Sequence, residues 1–456
     1  MRIHDTLQGR KVELELREPG RLSMYVCGPT VYDAPHLGHG RTAVVFDTIR
    51  RYLEWTGLDV TFVSNVTDVE DKIIARAERE GTSEAEVAAQ YESVYWDQLS
   101  RLDVRRPDEI PHATAFISQM LELIDELVTS GHAYVVGGQG VYFAVDTYRG
   151  YGGLSHRRLA DLLETAGARV ELDEQKRSPV DFALWKAAKP SEPAWDSPWG
   201  PGRPGWHIEC SAMSLGLLGE GFDLHGGGDD LVFPHHENER AQAEAAGHRF
   251  ARHWIHSGML NVGGEKMSKS LGNFTTLQEA LDAHDPRAFR LAVLRTHYRS
   301  PIEVGASVLS ETSDALDGLD ALARRARVAG IEAGAAPDVA AVASFRDAMD
   351  DDFNTPAAVA VIFEAKSRAN AAIDAGDHAE AARQLATVSV LLDVLGLTLD
   401  DGSARSDDAD EIDALVAARG AARAARDFVE ADHIRDALAA RGVTIEDTPA
   451  GTIWHR

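Results

Sequence analysis

The most regular hydrophobic pattern lies near the start of the chain. Leu22-Ser23-Met24-Tyr25-Val26 reads as a short buried strand, after which Val45, Ile49, Tyr52 and Leu53 recur at helical spacing until Gly57, a stop signal. Val60-Thr61-Phe62-Val63 is a second strand, so this region forms a βαβ unit with parallel strands. Helices are expected from Glu70 to Glu80, Ala88 to Leu102 and Ala115 to Ser130, the last closed by Gly131. Val141 to Val145 is strand-like, Tyr148 to Gly153 is loop, and the pattern from there to Pro204 is irregular, rich in Pro, Trp and charge. Phe222 to Asp230 is a strand and glycine loop leading into a helix with His235, His236 and Glu239, and Trp254-Ile255-His256 is a further strand. After about residue 305 the texture is Ala-rich and helical, with linkers near 329–338 and from Asp400 to Asp410. A helix from Asp427 to Arg441, using Phe428, Ile434 and Leu438 and ended by Gly442, precedes a small hairpin of Thr444-Ile445-Glu446 with Thr452-Ile453-Trp454. The expected architecture is α/β: a parallel-sheet domain interrupted by an insertion, then an α-helical domain and a small C-terminal unit. The boundaries fall at 1–114, 115–204, 205–262, 263–305, 306–400 and 401–456.

Composition narrows this picture. The 456 residues suffice for two to four domains, and the two cysteines, Cys27 and Cys210, exclude a disulfide scaffold. No apolar run is long enough to cross a membrane, and Met1 to Thr6 lacks a basic-then-apolar signal pattern, so a cytoplasmic protein is expected. A net charge of −27 argues against broad electrostatic capture of nucleic acid. Binding of RNA would require Arg and Lys to be segregated onto one surface.

The chemistry-bearing stretches begin with His36-Leu37-Gly38-His39, at the start of the first long helix. A helix N-terminus beside the carboxyl end of a parallel strand offers N–H groups to phosphate, and Gly38 and Gly40 permit close approach. Read by itself, the stretch is equally an ordinary strand–helix loop. A second stretch, Glu265-Lys266-Met267-Ser268-Lys269-Ser270, changes its meaning. Together they resemble the HIGH and KMSKS signatures of class I aminoacyl-tRNA synthetases, with Leu37 for Ile. Tyr25-Val26-Cys27-Gly28, Gly205-Trp206-His207-Ile208-Glu209-Cys210-Ser211 and Phe233-Pro234-His235-His236-Glu237-Asn238-Glu239 narrow the resemblance to the cysteinyl-tRNA synthetase family, over essentially the whole chain. Pro29 and Pro35 depart from the family's usual loop without removing a chemical group.

The residues themselves permit a metal site. His235 and Glu239 are four apart and share a helical face, whereas His236 points about 100° away. With Cys27 and Cys210 they make a Zn²⁺-compatible set. The alternative is two small buried thiols and a solvated helix face. The resemblance implies that Cys27, Cys210, His235 and Glu239 hold one zinc per chain, to which the substrate's sulfur binds. A soft cation separates cysteine from serine where the shape of a pocket gives only modest discrimination.

The resemblance further implies a Rossmann-type catalytic domain that joins L-cysteine to ATP with Mg²⁺ and then to the 3′ end of tRNA(Cys). His36, Gly38, His39 and Lys269 would bind ATP; as catalytic groups, His36 and His39 would donate to its phosphate oxygens and Lys269, assisted by Lys266, would stabilise the departing pyrophosphate. Trp206 would close over the amino acid, and Thr67 and Asp230 would hold its ammonium group, although Asp230 reads equally as a helix cap and Thr67 as a turn residue. In the tail, Arg419, Arg423, Arg426 and Trp454 would meet unpaired anticodon bases. Acids interleave with them, so an amphipathic helical face is the competing reading. A monomer is expected. The rivals are a cysteine ligase acting on an amino sugar, which would lack the tail beyond about 405, and a non-catalytic RNA-binding paralogue, against which His36, His39, Lys266 and Lys269 speak.

Overall fold

The structure is a computed structural model that describes the chain except residues 168–175, 191, 263–264, 267–275, 333, 402–408, 449–450 and 456. It has two compact units. The first comprises Met1–Ala306 with Asp350–Asn354, and the second Ser307–Met349 with Thr355–Arg456.

At the centre of the first unit four strands run parallel in the spatial order His253–Ser257, Leu224–Gly228, Arg21–Val26, Asp59–Ser64. Their interiors are almost wholly buried, as a parallel sheet covered on both faces requires. The Leu37–Trp55 helix returns the chain from the Arg21–Val26 strand to Asp59–Ser64 on one side. The chain later re-enters the sheet on the other side of Arg21–Val26, at Leu224. The two strands stay paired from Met24 with Leu224 to Val26 with Gly226, and the chain leaves their carboxyl ends towards opposite sides of the sheet, the place where such sheets form ligand crevices.

The insertion is more ordered than its sequence suggests. Ala133–Val136, Gly140–Phe143, Phe182–Ala187 and Gly202–Pro204 make a four-stranded antiparallel sheet, beside the Ile117–Thr129 helix. The segment from 154 to 204 reads as irregular because its strands are short, one ends in proline and another carries Lys186 within it. The expected single helix through His235 and Glu239 is also broken. Val232–His236 is a wide kinked turn with Phe233 extended, and a regular helix spans only Glu237–Ala245.

Residues Asp350–Asn354 belong to the first unit through specific contacts. The Asp352 carboxylate accepts from the His4 amide (2.7 Å), Tyr298 Oη (2.7 Å) and Arg299 Nε (2.8 Å), and Tyr52 Oη donates to Asp350 (2.7 Å). Asp352 and Phe353 take left-handed backbone angles to achieve this.

The second unit contains the helices Ala306–Val328, Val339–Asp350, Thr355–Ala375 and His378–Val394, then Ala409–Ala424 and Phe428–Ala440, and the hairpin Thr444–Thr448 with Gly451–His455. The tail core is small: Ile412, Ile434, Leu438 and Val443. Phe428, expected to face that core, is instead 61 % exposed at the first position of its helix. Among the described residues no helix is long and apolar enough to cross a membrane.

Candidate active site and metal centre

Cys27 leaves the carboxyl end of the Arg21–Val26 strand, its amide donating to Gly226 O (3.1 Å). Cys210 lies within the Trp206–Leu218 helix, and His235 and Glu239 follow the neighbouring strand. All four are buried, and one ligand atom of each lies within 4.8 Å of the corresponding atom of every other. The Cys27 thiol donates to Glu239 Oε1 at 3.4 Å, and His235 Nε2 lies 3.1 Å from the same oxygen. Ligands about 2.0–2.3 Å from a tetrahedral zinc sit at much this separation from one another.

The surroundings orient these groups. His225 Nε2 donates to Glu239 Oε2 (2.9 Å), leaving Oε1 for the cluster. His235 is gripped twice: its ring stacks on Trp206 at 4.1 Å, and its Nδ1 shares a 2.9 Å hydrogen bond with His207 Nδ1. His236 corrects the helical reading. Because it sits in the kinked turn, it is not directed away: its Nε2 lies 3.9 Å from Glu239 Oε1. Cys27, His225, His236 and Glu239 thus form a second possible ligand group. Among the described residues the His236 Nε2 atom is buried without a hydrogen-bond partner, while Nδ1 is held by His256 Nε2 (2.7 Å). Burial, above all, pushes the thiols of Cys27 and Cys210 up and the imidazoles of His235 and His236 well down. Neutral imidazoles are ready metal ligands, and a dication would hold the thiols as thiolates in this dry pocket. The donor set fits zinc. The involvement of His225 and His256 was invisible in the sequence, since only the sheet brings them here, and His236 was set aside because a regular helix would direct it away.

Behind Cys27 the backbone is packed to its limit. The Gly28 amide donates to Asn65 Oδ1 (2.9 Å), and a Cβ on Gly28 would lie 1.7 Å from Asn65 O. Gly28→Ala is therefore expected to cost about 3 kcal/mol or more, beyond ordinary overpacking, and to displace Cys27. Urea denaturation checks the first effect and metal content the second.

Thr67 is buried, accepts from Asn65 Nδ2 (3.3 Å) and donates its hydroxyl to Glu209 Oε2 (2.9 Å). The Glu209 carboxyl is fully buried, and burial pushes its pKa well up. The signal for Glu209 is a lone acid in the apolar run Ile208-Glu209-Cys210. Asp230 is exposed inside the short turn Asp229–Leu231 and caps no helix there.

At the other side of the crevice His36 and His39 form a reciprocal cap. The Gly38 amide donates to His36 Nδ1 and the His36 amide to His39 Nδ1, each at 3.1 Å, with the rings stacked at 3.8 Å. Gly38 is needed because a Cβ there would stand 2.8 Å from the His36 ring. With Nδ1 accepting, each neutral ring carries its proton on Nε2. Burial, with a smaller contribution from the neighbouring His36 ring, lowers the His39 pKa to about 3 and keeps that ring neutral. Lys266 ends the two-residue strand Glu265–Lys266, paired with Asn261–Val262. Lys269 lies outside the described residues.

Residues 13–314 match the family described as tRNA synthetases class I (C) catalytic domain, 344–400 the DALR domain and 405–454 the cysteinyl-tRNA ligase anticodon binding domain. A cysteine–tRNA ligase of Halorhodospira halophila is 50 % identical over 467 aligned positions, covering 100 % of this chain and 99 % of its own. One of Alkalilimnicola ehrlichii is also 50 % identical, covering 100 % of both. The chain belongs to the cysteine–tRNA ligase family. Among solved structures, methionyl-tRNA synthetase of Mycobacterium tuberculosis shares the fold at a TM-score of 0.61 and 17 % identity, over 82 % of this chain and 89 % of that one. A LeuRS of Agrobacterium radiobacter does so at 0.61 and 12 %, over 84 % and 85 %.

In the anticodon-binding domain of this cysteine–tRNA ligase family member, two of the tail residues named from the sequence are engaged within the unit. Arg419 is 9 % exposed and donates both Nη groups to Asp447 (2.8 and 3.0 Å), whose carboxyl is thereby driven far below its usual range. Trp454 donates Nε1–H to Asp413 Oδ1 (2.7 Å) and packs on the tail core. Both contacts help to hold a unit with a small buried aliphatic core. Arg423 also reaches Asp447 but is half exposed, and Arg426 turns outward at a left-handed position.

Proposed function

We propose that this chain activates L-cysteine with ATP to cysteinyl-adenylate and transfers it to the 3′ end of tRNA(Cys), as a cytoplasmic monomer. One Zn²⁺ would be held by Cys27, Cys210, His235 and Glu239, and Mg²⁺ would accompany ATP. The observation that carries the reading is the buried cluster of two thiols, an imidazole and a carboxylate at the mouth of the central sheet. The metal would supply selectivity, coordinating the amino acid's sulfur far better than serine's oxygen. In that pocket Trp206 supplies a wall, and Thr67, with the Glu209 carboxyl behind it and Asp230 at the rim, receives the ammonium group.

Adenylate formation calls for alignment and charge neutralisation rather than a strong acid or base. His36 and His39 donate Nε2–H to phosphate oxygens. Gly38 lets the His36 ring fold back onto the helix start. Lys266 and Lys269 offset the charge gathering on pyrophosphate. In the tail Arg423 and Arg426 supply cations, and the exposed Phe428 offers a stacking face for an unpaired base.

The test is ATP–pyrophosphate exchange with zinc-replete protein, run with cysteine and with serine. The expected result is exchange with cysteine alone, one zinc per chain, and loss of exchange after chelation. Metal-free protein that still activates cysteine and refuses serine would refute the zinc assignment.

A further inference from the structure

The described residues on either side of the Glu265–Ser270 stretch, Gly258 and Met259 before it and Leu277 after it, are both fastened at the start of the Leu37–Trp55 helix. At its exit the Leu277 amide donates to Pro35 O (2.9 Å), and a Cβ on Gly40 would lie 2.9 Å from the Leu277 side chain. At its entry the fastening is Arg41. This side chain is 2 % exposed and makes no ion pair among the described residues. It instead donates Nη1 to the carbonyls of Gly258 and Met259, each at 2.6 Å, and Nη2 to those of Tyr298 (3.1 Å) and Ser300. Burial lowers its pKa only to about 10, so the group remains a cation at neutral pH.

Those carbonyls belong to two passes of the chain in very close contact. Gly258 N–H donates to Tyr298 O (2.7 Å), and a Cβ on Gly258 would stand 2.5 Å from Arg299 O and 2.6 Å from Ser300 O. From there Leu260–Val262 runs parallel to Ile302–Glu303 and antiparallel to Glu265–Lys266. A buried cation without a counter-charge is a costly filler of space. Its planar fork is well suited to gathering several carbonyls at fixed angles, which a lysine cannot do.

We propose that Arg41 is a positioning residue for adenylate formation, holding the root of the Lys266-bearing segment in register with the helix that presents His36 and His39. The role rests on the activity proposed above for those residues. Arg41 itself touches no substrate. A misplacement of about 1 Å at such a site lowers rates about 100-fold.

The experiment compares Arg41→Gln, Arg41→Lys and Gly258→Ala with the parent protein. Gly258→Ala forces the two passes apart while leaving the guanidinium in place, and so covers a folding failure of Arg41→Gln. In hydrogen–deuterium exchange without substrates, the amides of Gly258, Ile302 and Val304 should lose protection in Arg41→Gln and Gly258→Ala, and those of the central sheet should keep it. In cysteine-dependent ATP–pyrophosphate exchange, kcat should fall about 100-fold in both. Cysteine affinity and bound metal should stay within about twofold, and Arg41→Lys should lie between. Unchanged kcat in both variants overturns the proposal, as does a parallel loss of sheet protection and cysteine affinity. If the parent protein shows no cysteine-dependent exchange, the proposed activity fails, while protection at Gly258, Ile302 and Val304 still decides whether Arg41 holds the root.

Discussion

Cys210→Ser is expected to lose bound zinc and to lower cysteine-dependent ATP–pyrophosphate exchange by about 100-fold or more in kcat/KM, about 2.7 kcal/mol of transition-state stabilisation. The substitution is nearly isosteric, so packing in the helix around Ile208 and Met213 is preserved. What changes is the donor. A hydroxyl is a poor ligand for a soft cation, and even changes outside the ligand shell cost metal affinity about 10–100-fold. Without the metal, Glu239 keeps its bond to His225, and Cys27 and His235 crowd its other oxygen. The pocket then distinguishes cysteine from serine only by shape, worth about 1–3 kcal/mol. Metal analysis beside exchange kinetics with both amino acids reads each effect. A variant that retains one zinc and full selectivity would refute the assignment of Cys210.

Deletion of residues 401–456 is expected to separate the two half-reactions. The tail core of Ile412, Ile434, Leu438 and Val443, covered by Leu415, Val416, Ile445 and Trp454, draws only on tail residues. Its removal leaves the parallel sheet and the thiol–imidazole–carboxylate cluster as they are, so exchange should stay within about twofold. Transfer to tRNA should fall about 100-fold or more in kcat/KM, because stacking and cationic contacts to unpaired bases are worth about 1–3 kcal/mol each. On the protein's net charge of −27 there is little general attraction for RNA to compensate. Charging assays on full-length and shortened protein decide the matter, and equal charging by both would show that the tail does not contribute.

The βαβ unit was legible because Leu22 to Val63 alternates apolar runs with one amphipathic stretch, and the parallel sheet imposes that pattern directly. In the insertion only the Ile117–Thr129 helix and the Gly140–Phe143 strand were legible. The strand at Phe182–Ala187 pairs with partners about forty residues upstream, Phe143 with Phe182 and Gly140 with Lys186, and its short mixed run carries no period of its own. In the tail, an interleaved string of Arg and Asp could not reveal which pairs close: Arg419 with Asp447 is set by the hairpin's fold-back.

For the site, the residue types were readable from the chain, and so was the i,i+4 relation of His235 and Glu239, which survives the kink at 3.1 Å. Local sequence determines periodicity, capping and the donors available, since those depend on near neighbours. It does not determine that His225, His236 and His256 join the cluster, that Glu209 backs Thr67, or that Arg41 grips carbonyls more than two hundred residues away. Those follow from the order in which parallel strands lie side by side. That order brings distant side chains into one desolvated crevice, where contact distance, unlike sequence separation, governs the chemistry.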